Sequence, residues 1–245
     1  MFGNLTTNGL EKTEDRLGGF SVFDSDAYDA KIKVAYGGQA DSGAKFVQLV
    51  ADINGREYRE TIYVTNRAGE NFFLNKQDNT KKVPLPGFTI IDHICLATTG
   101  KSLAEQPIED KVVQIYDYDA KKELPKSVPV LTELTGQNVT LGILKNLENK
   151  SEKRGNEYVA TAETRDTNNI DKVFDTNSKM TVTEALNNET EAKFYAAWVQ
   201  KNKGQTRDKR EIKDGQAASA KSGSGSGSAP QASGSAAPRK SLFGG

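Results

Sequence analysis

One cysteine and one histidine in 245 residues leave little room for several kinds of chemistry. A lone Cys95 excludes an intramolecular disulfide and a cysteine-based zinc cluster. A lone His93 argues against a nucleophile triad, a histidine-rich metal site or a histidine acid/base pair. No Gly-rich phosphate loop or dinucleotide fingerprint occurs, and no apolar run is long enough to span a membrane. Met1-Phe-Gly-Asn-Leu5 lacks the basic and apolar blocks of a signal peptide. The expectation is a soluble cytoplasmic binding protein without catalytic activity, cofactor or metal.

Charge of one sign is missing only in sum. The formal net charge is +0, yet from Lys201 onward nine Lys/Arg stand against three Asp/Glu, which leaves 24 basic against 30 acidic residues before it. A net-acidic body still neutralises phosphates where its basic residues gather in one groove.

What the chain has in abundance lies at its end. Ser219 to Gly245 is Gly/Ser/Ala/Pro low complexity, and a run such as Ser222-Gly-Ser-Gly-Ser-Gly-Ser228 buries too little apolar surface to offset the entropy of ordering it. It closes on Pro238-Arg-Lys-Ser-Leu-Phe-Gly-Gly245, where Arg239, Lys240, Leu242 and Phe243 form a tip suited to a partner. The organisation expected is an extended arm over 1–20, a β-rich domain over 21–203 ending in helices, a flexible linker over 204–237 (basic, then Gly/Ser/Ala/Pro-rich) and a tip over 238–245. Lys201 to Lys213 reads as a solvated basic segment able to trail along phosphates.

Within the body, Asp29 to Tyr36 alternates with Ile32 and Val34 on one face, as a half-buried strand does. Gly37-Gly38 to Gly43 reads as a loop. Phe46 to Ile53 and Arg56 to Val64 flank Asn54-Gly55, the pair favoured in a two-residue type I′ hairpin turn. That turn sets Phe46 opposite Tyr63, Gln48 opposite Thr61 and Val50 opposite Arg59. Val47, Leu49, Ala51, Ile53, Tyr58, Ile62 and Val64 then form the core-facing side. It also sets Asp52 against Glu57, a like-charge pair that a longer loop would avoid.

Further on, Gly69 to Leu74 reads as a short aromatic strand, Lys76 to Lys82 as a basic loop and Thr89 to Thr98 as a helix closed by Gly100. Val112 to Tyr118 alternates as a strand, and Lys126 to Gly136 fits either strand or helix. Gln137 to Lys145 and Glu157 to Arg165 read as a strand pair joined by a charged loop carrying Lys145, Lys150, Lys153 and Arg154. Thr181-Val-Thr-Glu184 fits a capping box. Glu189 to Lys203 reads as a helix with Phe194, Ala197 and Trp198 on one apolar stripe. Short strands with few helices point to a small β-barrel with insertions and a helical end.

The outward hairpin face, Phe46, Gln48, Arg59, Thr61 and Tyr63, suits a single nucleic-acid strand. Unpaired bases stack on aromatic rings for about 1–3 kcal/mol each, and a guanidinium meets phosphate or stacks on a base. Tyr36, Lys45, Arg56, Phe72, Phe73, Lys81 and Lys82 are further candidates. Aromatics on strands also serve as core, and a one-residue slip of register would exchange the faces. His93 reads as a partly buried structural histidine. Asp117 and Asp119 suit a solvated strand end, the rival being a magnesium-dependent nucleic-acid-processing site.

In order along the chain, Asn4-Leu-Thr-Thr7, Leu17-Gly-Gly19, Gly55-Arg-Glu-Tyr-Arg-Glu-Thr-Ile-Tyr-Val-Thr-Asn66 and Gly69-Glu-Asn71 are followed by Val83-Pro-Leu-Pro-Gly-Phe88, Ile94-Cys-Leu96, Thr99-Gly-Lys101 and Leu141-Gly-Ile-Leu-Lys145. Through these the chain resembles the single-stranded-DNA-binding proteins of lytic podophages of the Enquatrovirus type. The resemblance spans most of residues 1 to about 200. It implies an oligonucleotide/oligosaccharide-binding (OB) fold and binding of single-stranded DNA without strong sequence preference. It further implies a role in phage DNA replication and recombination in the host cytoplasm, and a C-terminus that recruits replication, recombination or transcription proteins. Cellular proteins of this function end in an acidic tip with a terminal Phe. The basic tip here points instead to a different partner or to the protein's own DNA groove. The alternative is a virion structural or assembly protein with no nucleic-acid preference.

Overall fold

The computed structural model describes residues 22–117, 120–155 and 157–212. The expected arm over 1–20, most of the linker and the whole tip, Arg239, Lys240, Leu242 and Phe243 included, lie outside them. The strands are β1 (Asp26–Gln39), β2 (Lys45–Ile53), β3 (Arg56–Tyr63), β4 (Phe72–Leu74), β5 (Lys82–Pro84), β6 (Ile108–Asp117), β7 (Lys122–Leu131), β8 (Asn138–Arg154), β9 (Glu157–Phe174) and β10 (Thr206–Asp208). The helices are α1 (Pro86–Thr99), α2 (Val182–Leu186) and α3 (Lys193–Asn202). The fold is mainly β, as the sequence led us to expect.

The β2–β3 hairpin has the register set by its turn. Asn54 and Gly55 take φ of 53° and 80°, Phe46 faces Tyr63 and Ile53 faces Arg56. The like charges of Asp52 and Glu57 do face each other, and each is drawn to a different partner. Asp52 Oδ1 accepts from the Gly55 amide at 3.1 Å, and Glu57 is held by Lys33 at 2.8 Å and Arg59 at 2.7 Å.

β1 departs from simple alternation. Its ladder with β2 steps from Ile32–Ala51 to Val34–Val50, so Lys33 is an extra residue and the strand's faces exchange there. Ile32 and Ala35 point into the core and are fully buried, whereas Val34 joins Val50 on the other side. The expectation that Ile32 and Val34 share a face fails at this bulge. Gly37 and Gly38 belong to the strand rather than to the loop, which is confined to 40–44, where Gly43 N donates to Ala40 O.

β1 is shared. Its first half pairs with β8, from Asp26–Ile143 to Lys31–Asn138. Its second half pairs with β2 and touches β7 at Tyr36–Val130. Pro125 and Pro129 of β7 lack the N–H that a longer ladder would use, and the β6–β7 ribbon leaves the sheet beyond that point. β8 and β9 pair from Thr140–Phe174 out to Arg154–Glu157. The residues expected to form a charged loop are therefore strand as far as Arg154, and β9 resumes at Glu157.

The order β3-β2-β1-β8-β9 leaves β3 and β9 as the two edges, and no backbone ladder joins them. A side chain spans the gap. Glu60 Oε2 on β3 accepts from the Ile170 amide on β9 at 2.9 Å and from the Tyr58 hydroxyl at 2.6 Å. Behind this seam lies the main core, with Ile32, Leu49, Ile53, Ile62, Leu141, Ile143, Ile170 and Val173 among its members. Each such side chain contributes about 1.5–3 kcal/mol by leaving water.

α1 closes one end of this core with Ile91, Ile94 and Cys95, one stripe at helical spacing. It begins earlier than Thr89, with Pro86 in its first turn, and ends at Gly100 in the left-handed region, where glycine carries no Cβ penalty. Gly87 is required for contact, because a Cβ there would lie 2.1 Å from the Tyr63 carbonyl oxygen. Both halves of the Thr181–Glu184 capping box form. On α3 the buried stripe is rotated from the one expected. Trp198 is buried with Tyr195 and Val199 beside it, over Phe174 and Leu144, while Phe194 is 41 % exposed. Trp198 Nε1 donates to Asp171 at 2.8 Å, and its ring lies over Gly142.

The chain after α3 is not free linker from residue 204. β10 runs parallel to β8 at Thr206–Lys145 to Asp208–Leu147. Asn149 exchanges two hydrogen bonds with the Ile212 backbone. Lys203 meets Asp26 and Arg207 meets Asp171, so the basic segment expected to trail along phosphates is partly spent on carboxylates of the body.

Candidate nucleic-acid interface

The outer face of β1–β3 is a small lattice. Its rows run Val34–Val50–Arg59, Tyr36–Gln48–Thr61 and Gly38–Phe46–Tyr63. The third row is open. Phe46 and Tyr63 pack edge to face with centroids 5.8 Å apart, and Tyr63 is 50 % exposed. Glycine at 38 makes room, since a Cβ there would fall 2.3 Å from the Phe46 ring. In the middle row the Thr61 hydroxyl donates to Gln48 Oε1 at 2.5 Å.

Tyr36 belongs to this face by register yet is buried, at 7 % exposure, as are Val50 and Val130. Burial pushes its phenol up from its ordinary value, against the pull of Arg59 and Lys126. Covered by β7, it offers no free ring. Arg59 is held through Nε and Nη2 by Glu57 Oε1 and lies 3.9 Å from Glu123 of the ribbon. Hydrogen bonding to Glu57 raises the guanidinium's pKa, and a phosphate must displace or share these carboxylates.

The other candidates divide. Arg56 sits at the far end of β3 on the core side, its guanidinium carbon 3.9 Å from the Phe23 ring centroid, and does not belong to the face. Lys45 is exposed and, one residue before Phe46, points to the opposite side. The β4–β5 hairpin is closed at its base by the Leu85 amide, which donates to Asn71 O, and leads into α1, whose Gly87 lies against the Tyr63 carbonyl. On the hairpin Lys82 Nζ lies 4.2 Å from the Phe72 centroid, Phe73 is exposed, and Lys81 pairs with Asp78 at 3.4 Å. One row thus joins Phe46 and Tyr63 directly, with Phe72, Phe73, Lys81 and Lys82 on the β4–β5 hairpin.

No family model, curated protein or solved structure matches this chain. Its chemistry is read from the residues alone. Among the described residues no group of three or more His, Cys, Asp and Glu side chains gathers as a metal site, and no helix is long and apolar enough to cross a membrane. Asp117 accepts from Lys126 at 3.0 Å, while Asp119 lies outside the described residues. His93 is partly buried, and burial with nearby Lys172 lowers its pKa to about 4. It is a neutral ring near pH 7.

Sequence reasoning missed Gly38, Glu123 and Lys126. The Gly37-Gly38 pair was a signal in principle, because a glycine cross-strand from an aromatic is a known way to seat the ring. The two ribbon residues carry no local signal, since their place depends on how β6–β7 leaves the sheet.

Proposed function

We propose that this protein binds single-stranded DNA without strong sequence preference and coats it during phage DNA replication and recombination. The observation that carries the reading is the open Phe46–Tyr63 row over Gly38 on the outer face of the three-stranded meander. A half-exposed ring fixed by a neighbour offers a base a stacking partner at little entropic cost. The β4–β5 hairpin carries a further ring and cation, Phe72 and Lys82, in cation–π contact. A three-stranded meander whose first strand is shared with β8, with a helix between β3 and the later strands, supports an OB-like barrel in which Glu60 bridges the open seam. The resemblance in motif order points the same way. In this reading the protein acts in the host cytoplasm, and the tail, with Arg239, Lys240, Leu242 and Phe243, recruits replication, recombination or transcription proteins.

The test is a fluorescence titration of labelled oligo-dT and matched duplex at two salt concentrations. The full chain is compared with a chain ending at Ala218. Tight, salt-sensitive preference for oligo-dT in both chains is the expected result. Equal affinity for single strand and duplex would refute the reading and favour a virion-assembly role.

A further inference from the structure

The far end of the β8–β9 ribbon repeats, away from the outer face of β1–β3, the chemistry found on the β4–β5 hairpin. Lys153 and Tyr158 are directly opposed in the ladder, so their side chains stand side by side on one face of the ribbon. Tyr158 is 75 % exposed, more than any other large hydrophobic residue described. The ribbon's other cations near the tip are engaged, Lys150 by Glu163 at 2.9 Å and Arg154 by Glu152. Lys153 has no carboxylate partner among the described residues. An aromatic ring beside an uncommitted ammonium occurs likewise at Phe72 and Lys82.

Folding alone gives little reason for this arrangement. A tyrosine at that exposure removes almost no apolar surface from water, and a two-stranded arm held by its ladder stays extended without it. An unpaired nucleotide matches both groups at once. Its base has a flat face for the phenol ring and its phosphate an anion for the ammonium, which meets it without first breaking an ion pair. Arg59, tied to Glu57, lacks that freedom.

We propose that the tip of the β8–β9 ribbon, through Tyr158 and Lys153, is a second contact for the same nucleic-acid strand. It engages nucleotides beyond those on the outer face of β1–β3. The proposal rests on the single-strand reading above and adds a separate site to it. A strand long enough to reach the tip gains from it, and a strand that only fills the outer face does not.

The experiment compares wild type, Tyr158→Ala, Tyr158→Phe and Lys153→Gln on two lengths of oligo-dT, one just sufficient for tight binding and one several-fold longer. Strands substituted with 5-iodouracil are crosslinked by light and the modified peptide is mapped. Tyr158→Ala should weaken binding of the long strand by about fivefold or more, the loss of one stack. It should leave the short strand unchanged, and Tyr158→Phe should restore affinity. Lys153→Gln should lower the salt slope on the long strand only, and the crosslink should map to the peptide holding Tyr158. If wild type binds but Tyr158→Ala matches it on both lengths, the arm is not a contact. A wild type that binds neither strand overturns the single-strand reading itself, and the arm with it.

Discussion

Removing the carboxylate of Glu60 tests how the sheet's two edges are held. In Glu60→Ala the Tyr58 hydroxyl and the Ile170 amide both lose their acceptor, at 2.6 and 2.9 Å in the wild type. A buried donor left unpaired costs about 1–3 kcal/mol. Against that, the variant no longer holds a carboxylate in a site where burial raises its pKa from the ordinary 4.5, despite bonds from Tyr58 and Ile170 and the field of Lys209. The net expectation is a loss of about 2–4 kcal/mol, read as a lower urea midpoint at unchanged slope. Hydrogen exchange should show the Ile170 amide deprotected ahead of its neighbours on β9. Glu60→Gln keeps an acceptor oxygen and should lose less. The pH dependence has a definite sign. With a folded pKa above the unfolded one, the contribution of Glu60 is fully present below the unfolded value and is lost as pH rises through the folded value. Wild type should therefore gain on Glu60→Gln as pH falls toward 4.5. A loss under about 0.5 kcal/mol in Glu60→Ala, within the range of ordinary surface changes, with Ile170 still protected, would refute the seam.

Gly87→Ala should destabilise by about 2 kcal/mol or more, because its Cβ meets a backbone oxygen at 2.1 Å and only a shift of α1 relieves it; thermal melting gives the value. His93 should steepen the acid limb of stability. Its folded pKa, near 4, lies below the ordinary 6.5, so its contribution is full above 6.5 and is lost as pH falls toward 4. His93→Gln should flatten that limb by about 3 kcal/mol, and an unchanged limb would refute the assignment. Tyr63→Ala should weaken oligo-dT binding by about 1–3 kcal/mol, one lost stack, at nearly unchanged stability. Unaltered affinity in a folded variant would take Tyr63 out of the interface.

The parts of the fold that were legible in the sequence are those set by neighbouring residues. Asn54-Gly55 fixed its hairpin and every cross-strand pair in it. Gly100 ended α1, and Thr181 with Glu184 opened α2. What escaped is set across the chain. The extra residue at Lys33 exists only relative to β2. The outer stretches of β8 and β9 have water on both faces, so no alternation marks them and their lysines read as loop. β10 is polar throughout and becomes a strand because β1 leaves part of the β8 edge unpaired. The Glu60–Ile170 bond joins residues 110 positions apart, a distance at which no window of sequence carries a signal.

The same division runs through the candidate site. Alternation and turn chemistry put Phe46, Arg59 and Tyr63 on one face, and they are there. Alternation says which way a side chain points but not what arrives over it. Tyr36 points outward and is buried, because β7 brings Val130 to it and the ribbon continues over the face as far as Glu123. Arg56, a further candidate from the sequence, lies three residues from Arg59, a spacing that reverses the face along a strand, and it ends over Phe23. Under the proposed function, binding on this surface would begin from a state in which its central arginine is already paired with carboxylates. Counterion release by Arg59 would then be smaller than for a free guanidinium, because Glu57 and Glu123 already compensate part of its charge. In the proposed reading, affinity on the outer face falls more to the rings of Phe46 and Tyr63 than to its charge, which is where a base-stacking reader differs most from a purely electrostatic one.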